Sequence, residues 1–285
     1  MKKLFFIFII FLLIIIFIFL IFSFIERPKS NKFDQNISFG FLLANDPASY
    51  HDMKELGVDY ILIANFSEDE AEKRISEAEK QNIKVYLSAG VLAPDDFKRM
   101  KLLGGYKQVE GFFLDEPHLH KSYYNNSDIE NWLNWSKEKF PNKKIFIATP
   151  RIETYEELLN IPNLHLAGFQ PDYYPINGPI NMYGSQRKLV QKMESDGFEV
   201  QPIIQTHALN FYESELWRTI IDKIALLDGH GLISRPTSQQ VANQIENVAS
   251  ENTKIIWMYP GEDDYVKWTQ ERKDYIKEIF EEVKK

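Results

Sequence analysis

The chain has no cysteine among its 285 residues. That excludes disulfides, thiolate metal sites and a lipid-attachment box. Positive charge is also short: 33 Lys and Arg stand against 41 Asp and Glu, for a formal net charge of −8 at pH 7. Lys2, Lys3, Arg27, Lys29 and Lys32 all precede the body of the chain, which is therefore more acidic still. With no basic patch, nucleic acid is not an expected partner. Glycine is sparse, at 13 residues. None forms a phosphate-cradling turn after the first candidate strand, where the chain reads Leu43-Ala44-Asn45-Asp46-Pro47. A doubly wound dinucleotide-binding sheet would want that turn.

What the sequence does have begins with Leu4 to Ile25, a run without charge made mostly of Phe, Ile and Leu. At 1.5 Å per residue it reaches about 33 Å, enough to cross a hydrocarbon core of roughly 30 Å. A cleaved signal peptide would have a shorter apolar core and a small-residue cleavage site. Phe22-Ser23-Phe24-Ile25-Glu26 offers none. The reading is a transmembrane anchor over 4–25, a polar linker over 26–36 and one domain over 37–285. The short basic N-terminus suits a signal anchor that leaves its tail inside and the domain extracytoplasmic. The expected localisation is thus a single-pass membrane protein, and a monomer.

After the linker, strand and helix patterns alternate. The candidate strands are Ile37–Ala44, Tyr60–Ala64, Lys84–Ser88, Gly111–Leu114, Lys144–Ala148, Leu164–Phe169, Val200–Ile204 and Lys254–Trp257. Each is a short apolar run rich in β-branched or aromatic side chains. Between them, Glu68–Gln81 reads as an amphipathic helix with a Ser67/Glu70 capping box, and Ser127 with Glu130 opens the helix through Phe140. Pro94–Leu103, Tyr155–Leu159, Ser185–Ser195, Thr237–Ala249 and Tyr265–Val283 complete the helical set. Eight strands alternating with about eight helices imply a parallel sheet. At this length, near the usual 250 residues, the expected fold class is α/β, a (β/α)8 TIM barrel behind one N-terminal transmembrane helix.

Barrel active sites lie at the carboxyl ends of the strands. The residues there are Asn45 and Asp46, Asn65, Ser88, Asp115-Glu116-Pro117-His118, Thr149-Pro150-Arg151, Gln170-Pro171-Asp172-Tyr173-Tyr174-Pro175, Gln205-Thr206-His207 and Trp257-Met258-Tyr259. Hydrogen-bonding groups, carboxylates and aromatic rings are what a sugar site needs. The sharpest element is Gly111-Phe112-Phe113-Leu114-Asp115-Glu116-Pro117. Two adjacent carboxylates after four apolar residues are costly unless solvated, paired or functional. Acid catalysis needs one carboxyl kept protonated, and a neighbouring carboxylate raises its pKa. The structural alternative is that Asp115 caps the turn and Glu116 pairs with a lysine. His118 and His120 flank the pair, but spacing places no third ligand, so no metal and no cofactor are expected.

Together, Asp-Glu-Pro after the fourth strand, Asp-x-Tyr-Pro after the sixth and Gln ending the seventh resemble the glycoside-hydrolase-like (β/α)8 proteins. Arg235-Pro236-Thr237-Ser238-Gln239-Gln240, leading by a helix to Ile255-Ile256-Trp257-Met258-Tyr259, adds to the likeness. The resemblance spans most of residues 37–261 and implies a glycoside hydrolase acting on cell-surface or environmental polysaccharide, with Glu116 as general acid. Retaining members place a second, nucleophilic Glu at the end of the seventh strand, where this chain has Gln205, Thr206 and His207. Two schemes remain. In one, Asp115 orients a 2-acetamido group that attacks the anomeric carbon, assisted by Tyr173 or Tyr174. In the other, Glu116 is the acid and Asp172 the base of an inverting reaction. Asn45, Asn65, Gln170, Tyr173, Tyr174, Gln205 and His207 are the expected sugar contacts, while Trp257 and Tyr259 suit either a stacking floor or barrel packing. The competing reading is a catalytically inactive barrel that binds glycan as a tethered scaffold.

Overall fold

The computed structural model describes residues 37–64, 67–90, 92–117, 125–149, 152–162, 164, 168–170, 172–173, 183–206, 236–259 and 268–283. The expected anchor over 4–25 and linker over 26–36 lie outside them. Among the described residues no helix is long and apolar enough to cross a membrane.

The strands are β1 (Ser38–Phe41), β2 (Val58–Ile63), β3 (Lys84–Ser88), β4 (Val109–Leu114), β5 (Lys144–Ala148), β6 (Gly168–Gln170), β7 (Asp172–Tyr173), β8 (Glu199–Val200), β9 (Ile203–Gln205) and β10 (Ile255–Tyr259). The helices are α1 (Tyr50–Glu55), α2 (Glu68–Lys80), α3 (Pro94–Leu103), α4 (Asn126–Lys139), α5 (Ile152–Leu159), α6 (Tyr183–Ser195), α7 (Ser238–Val248) and α8 (Gln270–Val283). All strand pairs are parallel, in the order β7-β9-β10-β1-β2-β3-β4-β5-β6-β8. The result is a curled parallel sheet with helices between its strands, a TIM-barrel-like α/β fold. The two ends of the order also involve the same stretches of chain. Gly168 and Phe169 pair with Glu199 and Val200, while Asp172 and Tyr173 pair with Ile203 and Ile204.

Alternation along the strands sorts the core into two clusters. Phe41, Ile61, Ile63, Val85, Leu87, Phe112, Leu114, Ile145, Ile147, Ile256 and Met258 pack against the helices. Leu42, Leu62, Tyr86, Phe113, Phe146, Ala148, Ile203, Ile255 and Trp257 form a second cluster made of strand-side residues alone, inside the curl. Each fully buried large side chain contributes about 1.5–3 kcal/mol. Gly40 belongs to this inner surface because a Cβ there would lie 2.5 Å from the Trp257 ring.

The helix starts follow local chemistry. Ser67 and Glu70 form the expected capping box of α2, and Thr237 with Gln240 forms one at α7. At α4 the cap is Asn125 rather than Ser127. Its side chain takes the Ser127 and Asp128 N–H groups, and Asp128 answers to the Asn125 N–H. An Asx side chain two residues earlier satisfies the same orphan donors, so the helix starts a fraction of a turn sooner. Of the expected sixth strand over 164–169, Gly168 and Phe169 lie in β6, and pairing continues beyond that range at Asp172 and Tyr173.

Candidate active site

The strand ends come into line through register. Phe41 pairs with Met258, Ser88 with Phe113, Leu114 with Ile147, Ala148 with Gln170, and Gln205 with Tyr259. The described strand-end residues, Asp115, Glu116, Thr149, Gln170, Thr206 and Tyr259 among them, therefore fall at the same, carboxyl end of the sheet. Backbone strain gathers there as well. Four described non-glycine residues have positive φ: Leu43 at 54°, Asn82 at 52°, Leu92 at 58° and Glu116 at 31°. Asn82 merely ends α2, as asparagine commonly does. Leu43, Leu92 and Glu116 each follow the carboxyl end of a strand. Non-glycine residues in this region cost about 1–3 kcal/mol and cluster at functional sites.

β4 delivers the carboxylate pair. Phe113 lies in the inner cluster and Leu114 against the helices, so continued alternation puts position 115 on the inner side. Asp115 is exposed, Glu116 half-buried and Pro117 buried. The left-handed turn at Glu116 breaks the extended path at that residue. Nearby, Thr149 at the end of β5 is buried and shares a 2.5 Å hydrogen bond between hydroxyls with Thr154. The Thr206 backbone N–H and hydroxyl both donate to the Tyr259 carbonyl, at 2.9 and 3.1 Å.

The other expected contacts divide. Asn45 is half-buried; its Oδ1 accepts from Arg74 Nη1 at 3.2 Å and from the Ala64 N–H at 3.5 Å, tying the turn after β1 to α2. Tyr259 is half-buried beside the inner cluster. Gln170, Asp172, Tyr173 and Gln205 are placed by their backbones, within β6, β7 and β9. Asn65, Tyr174 and His207 lie outside the described residues, as do His118 and His120. Among the described residues, no group of three His, Asp or Glu is placed to hold a metal.

Trp257 takes the packing role of its two expected ones. Its ring is fully buried, packed 6.3 Å from Tyr60 and 5.3 Å from Tyr86, and its indole N–H donates to Gln201 Oε1 at 2.8 Å. Two residues short of the strand end, it fills the inside of the sheet and is no stacking floor for a sugar.

Beneath it lies a polar layer that strand patterns did not flag. Lys144 Nζ meets both Glu199 oxygens at 2.9 Å, and Lys84 Nζ lies 3.7 Å from Glu110. Gln201 Nε2 donates to Glu199 at 3.1 Å and so links this layer to Trp257. Burial, with Glu110, Asp59 and Glu199 nearby, pushes the Tyr60 hydroxyl pKa up. Burial pushes that of Tyr86 up further, offset only in part by Gln201. Both phenols stay neutral. The signal was available: Lys84, Lys144 and Glu199 sit at strand starts with the inward parity of their strands.

No protein-family model matches the chain, and no curated protein sequence matches it. Solved structures do. An uncharacterised B. cereus protein aligns with a TM-score of 0.52 at 14% identity, over 86% of this chain and 65% of that one. An aldo/keto reductase from Brucella melitensis gives 0.51 at 14%, over 86% and 88%. A thiamine phosphate pyrophosphorylase from Pyrococcus furiosus gives 0.50 at 10%, over 87% and 96%. The likeness is one of fold. At such identity, proteins of unrelated chemistry share the architecture, and function rests on the site.

Proposed function

We propose that the chain is a membrane-anchored, extracytoplasmic glycoside hydrolase whose strands close into one eight-stranded barrel and whose Glu116 protonates the glycosidic oxygen. Closure is supported by the short gaps in the pairing: β6 and β7 are one residue apart, as one strand, and β8 and β9 two residues apart, as another. The observation that carries the catalytic reading is Glu116 itself, a half-buried carboxylate at φ 31° directly after Asp115 at the carboxyl end of β4. A strained carboxylate next to a second carboxylate is a suitable proton donor, because the neighbour's charge favours its protonated form. Asp115 orients the substrate, or Asp172 on β7 serves as base. The inverting version needs about 6.5–9.5 Å between carboxyl groups. The 4–25 segment supplies the tether.

Gln205 at the end of β9, where a retaining enzyme has its nucleophile, favours the second reading, a glycan-binding barrel without turnover. One substitution separates the two. Glu116→Gln removes the proton and keeps the shape, so hydrolysis of a responsive polysaccharide falls by about 10²–10⁴-fold while glycan binding survives. Undiminished hydrolysis in Glu116→Gln removes the assignment, and binding without any hydrolysis by the unaltered chain establishes the scaffold.

A further inference from the structure

We infer that the amino-terminal end of the sheet docks on the anionic phospholipid headgroups of the membrane that holds the anchor, so that the candidate rim faces away from the bilayer. The inference rests on the anchor proposed above and on none of the hydrolase chemistry.

Three large apolar side chains stand exposed among the described residues: Leu102, Tyr106 and Leu159, at 48%, 37% and 37%. An exposed apolar residue by itself needs no explanation. All three, however, lie where helices end and strands begin. Leu102 is in the last turn of α3, Tyr106 is between α3 and β4, and Leu159 closes α5. That is the end of the sheet opposite Asp115 and Glu116.

Lysines surround two of them. Residues 101–107 carry Lys101 and Lys107 and no acid, and residues 137–144 carry four lysines and one acid, Glu138. The chain as a whole is acidic and its sequence shows no basic patch, but the fold joins these two turns: Lys143 donates to the Tyr106 and Val109 carbonyls. Lys101, Lys107 and Lys137 are exposed and make no ion pair among the described residues. At the same end Lys54, Lys80 and Lys192 each do, with Asp59, Glu77 and Asp196. The helix dipole accounts for a lysine in a last turn, as at Lys101 and Lys137. It accounts neither for Lys107, which lies outside any helix, nor for the exposed Leu102.

The position of the tether selects the partner. The apolar run ends at Ile25, and β1 starts at Ser38; because all strands are parallel, that start lies at this same end. The residues between, 26–36, span at most about 40 Å. β1 and β4 are three strands apart, about 14 Å. The patch is thus carried on the face through which the chain leaves for the bilayer. Its lysines are drawn to anionic headgroups and Leu102 enters the acyl boundary. Tyr106, whose hydroxyl donates to Glu72 at 3.0 Å, sits at headgroup level.

The absence of cysteine makes the test direct. Leu102→Cys and Ala48→Cys, the latter exposed beyond the carboxyl end of β1, each take one nitrobenzoxadiazole label, which brightens in lipid. The labelled full chain is reconstituted into phosphatidylcholine vesicles with and without phosphatidylglycerol. With phosphatidylglycerol the label at 102 should brighten about twofold or more, and the label at 48 should not change. Lys101→Glu, Lys107→Glu and Lys137→Glu together, or high salt, should return the signal at 102 to its phosphatidylcholine level. A label at 102 that stays dark, as an acidic protein partner in place of lipid would leave it, overturns the inference. So does one that brightens equally in both vesicles, or a label at 48 that brightens instead. A dark label at 102 in a chain that resists alkaline carbonate removes the docking and keeps the anchor. Release by carbonate removes the anchor and the docking together.

Discussion

Glu110 on β4 and Glu199 on β8, at the amino-terminal end of the sheet, stand opposite Lys84 and Lys144. Asp115 and Glu116, at the carboxyl end, adjoin each other on a backbone turned to positive φ. The residue types are the same and the settings opposite. Where a carboxylate serves the fold, a cation sits across from it. At Glu116, beside Asp115, no such cation is placed by strand pairing, and the backbone takes a costly conformation. The same contrast holds for tryptophan. Trp257 is sealed among Tyr60, Tyr86 and Gln201, whereas Trp268 borders a small cleft and its N–H meets no acceptor among the described residues.

The largest expected difference between the two ends is in activity. Glu116→Gln should lose about 10²–10⁴-fold of hydrolysis with little change in denaturation midpoint, and Glu199→Gln the reverse. Equal losses of activity in both would erase the distinction. Next comes Gly40→Ala. Its new Cβ would meet three atoms of the Trp257 ring at 2.5–2.9 Å, and that ring is held by Gln201. A cost of about 2–3 kcal/mol in chemical denaturation is expected, the upper part of the overpacking range. Glu199→Gln should cost about 1–2 kcal/mol by the same measurement, since it leaves the half-buried Lys144 charge without its counter-ion. Ser67→Ala, at the start of α2 on the rim side, should cost about 1 kcal/mol through the lost cap, with hydrolysis unchanged.

The smallest effect is a pH dependence at the amino-terminal end. Lys192, and then the Tyr155 hydroxyl, holds the Asp196 carboxyl below the usual carboxylate range. A depressed carboxyl stabilises the fold above its unfolded value, near 4, and loses that contribution as pH falls through its folded value. The Tm gap between the unaltered chain and Asp196→Asn, present at about pH 6, should therefore close toward about pH 2. A gap that persists there would mean that the substitution disturbs packing rather than charge.

Much of the fold was legible from periodicity. β3 and β5 coincide with their expected ranges, because Lys84–Ser88 and Lys144–Ala148 are apolar runs with clear polar borders. The Ser67 cap was legible because capping is a contact within four residues. The reach of pairing to Tyr173 was not: which residues near Gln170 pair is decided by the partners Glu199–Val200 and Ile203–Ile204, about thirty residues away. The same holds for the inner face. Trp257, two positions from the end of an aromatic-rich strand, looked like a surface for sugar. Its neighbours Gly40 and Ile203, across two strand pairs, put it inside.

Local order thus came from the chain: alternating strand and helix, caps, and a carboxylate pair at a strand end are all set by neighbours in sequence and by the two-residue parity of extended backbone. Depth and partnership came from the packed sheet. Whether Trp257 is covered, whether Lys144 finds Glu199, and whether Arg272 and Asp46 share one cleft depend on register and curl, which bring residues far apart in sequence to within a few ångströms. Those contacts arise only once long-range pairing is formed, and no short window of sequence encodes them.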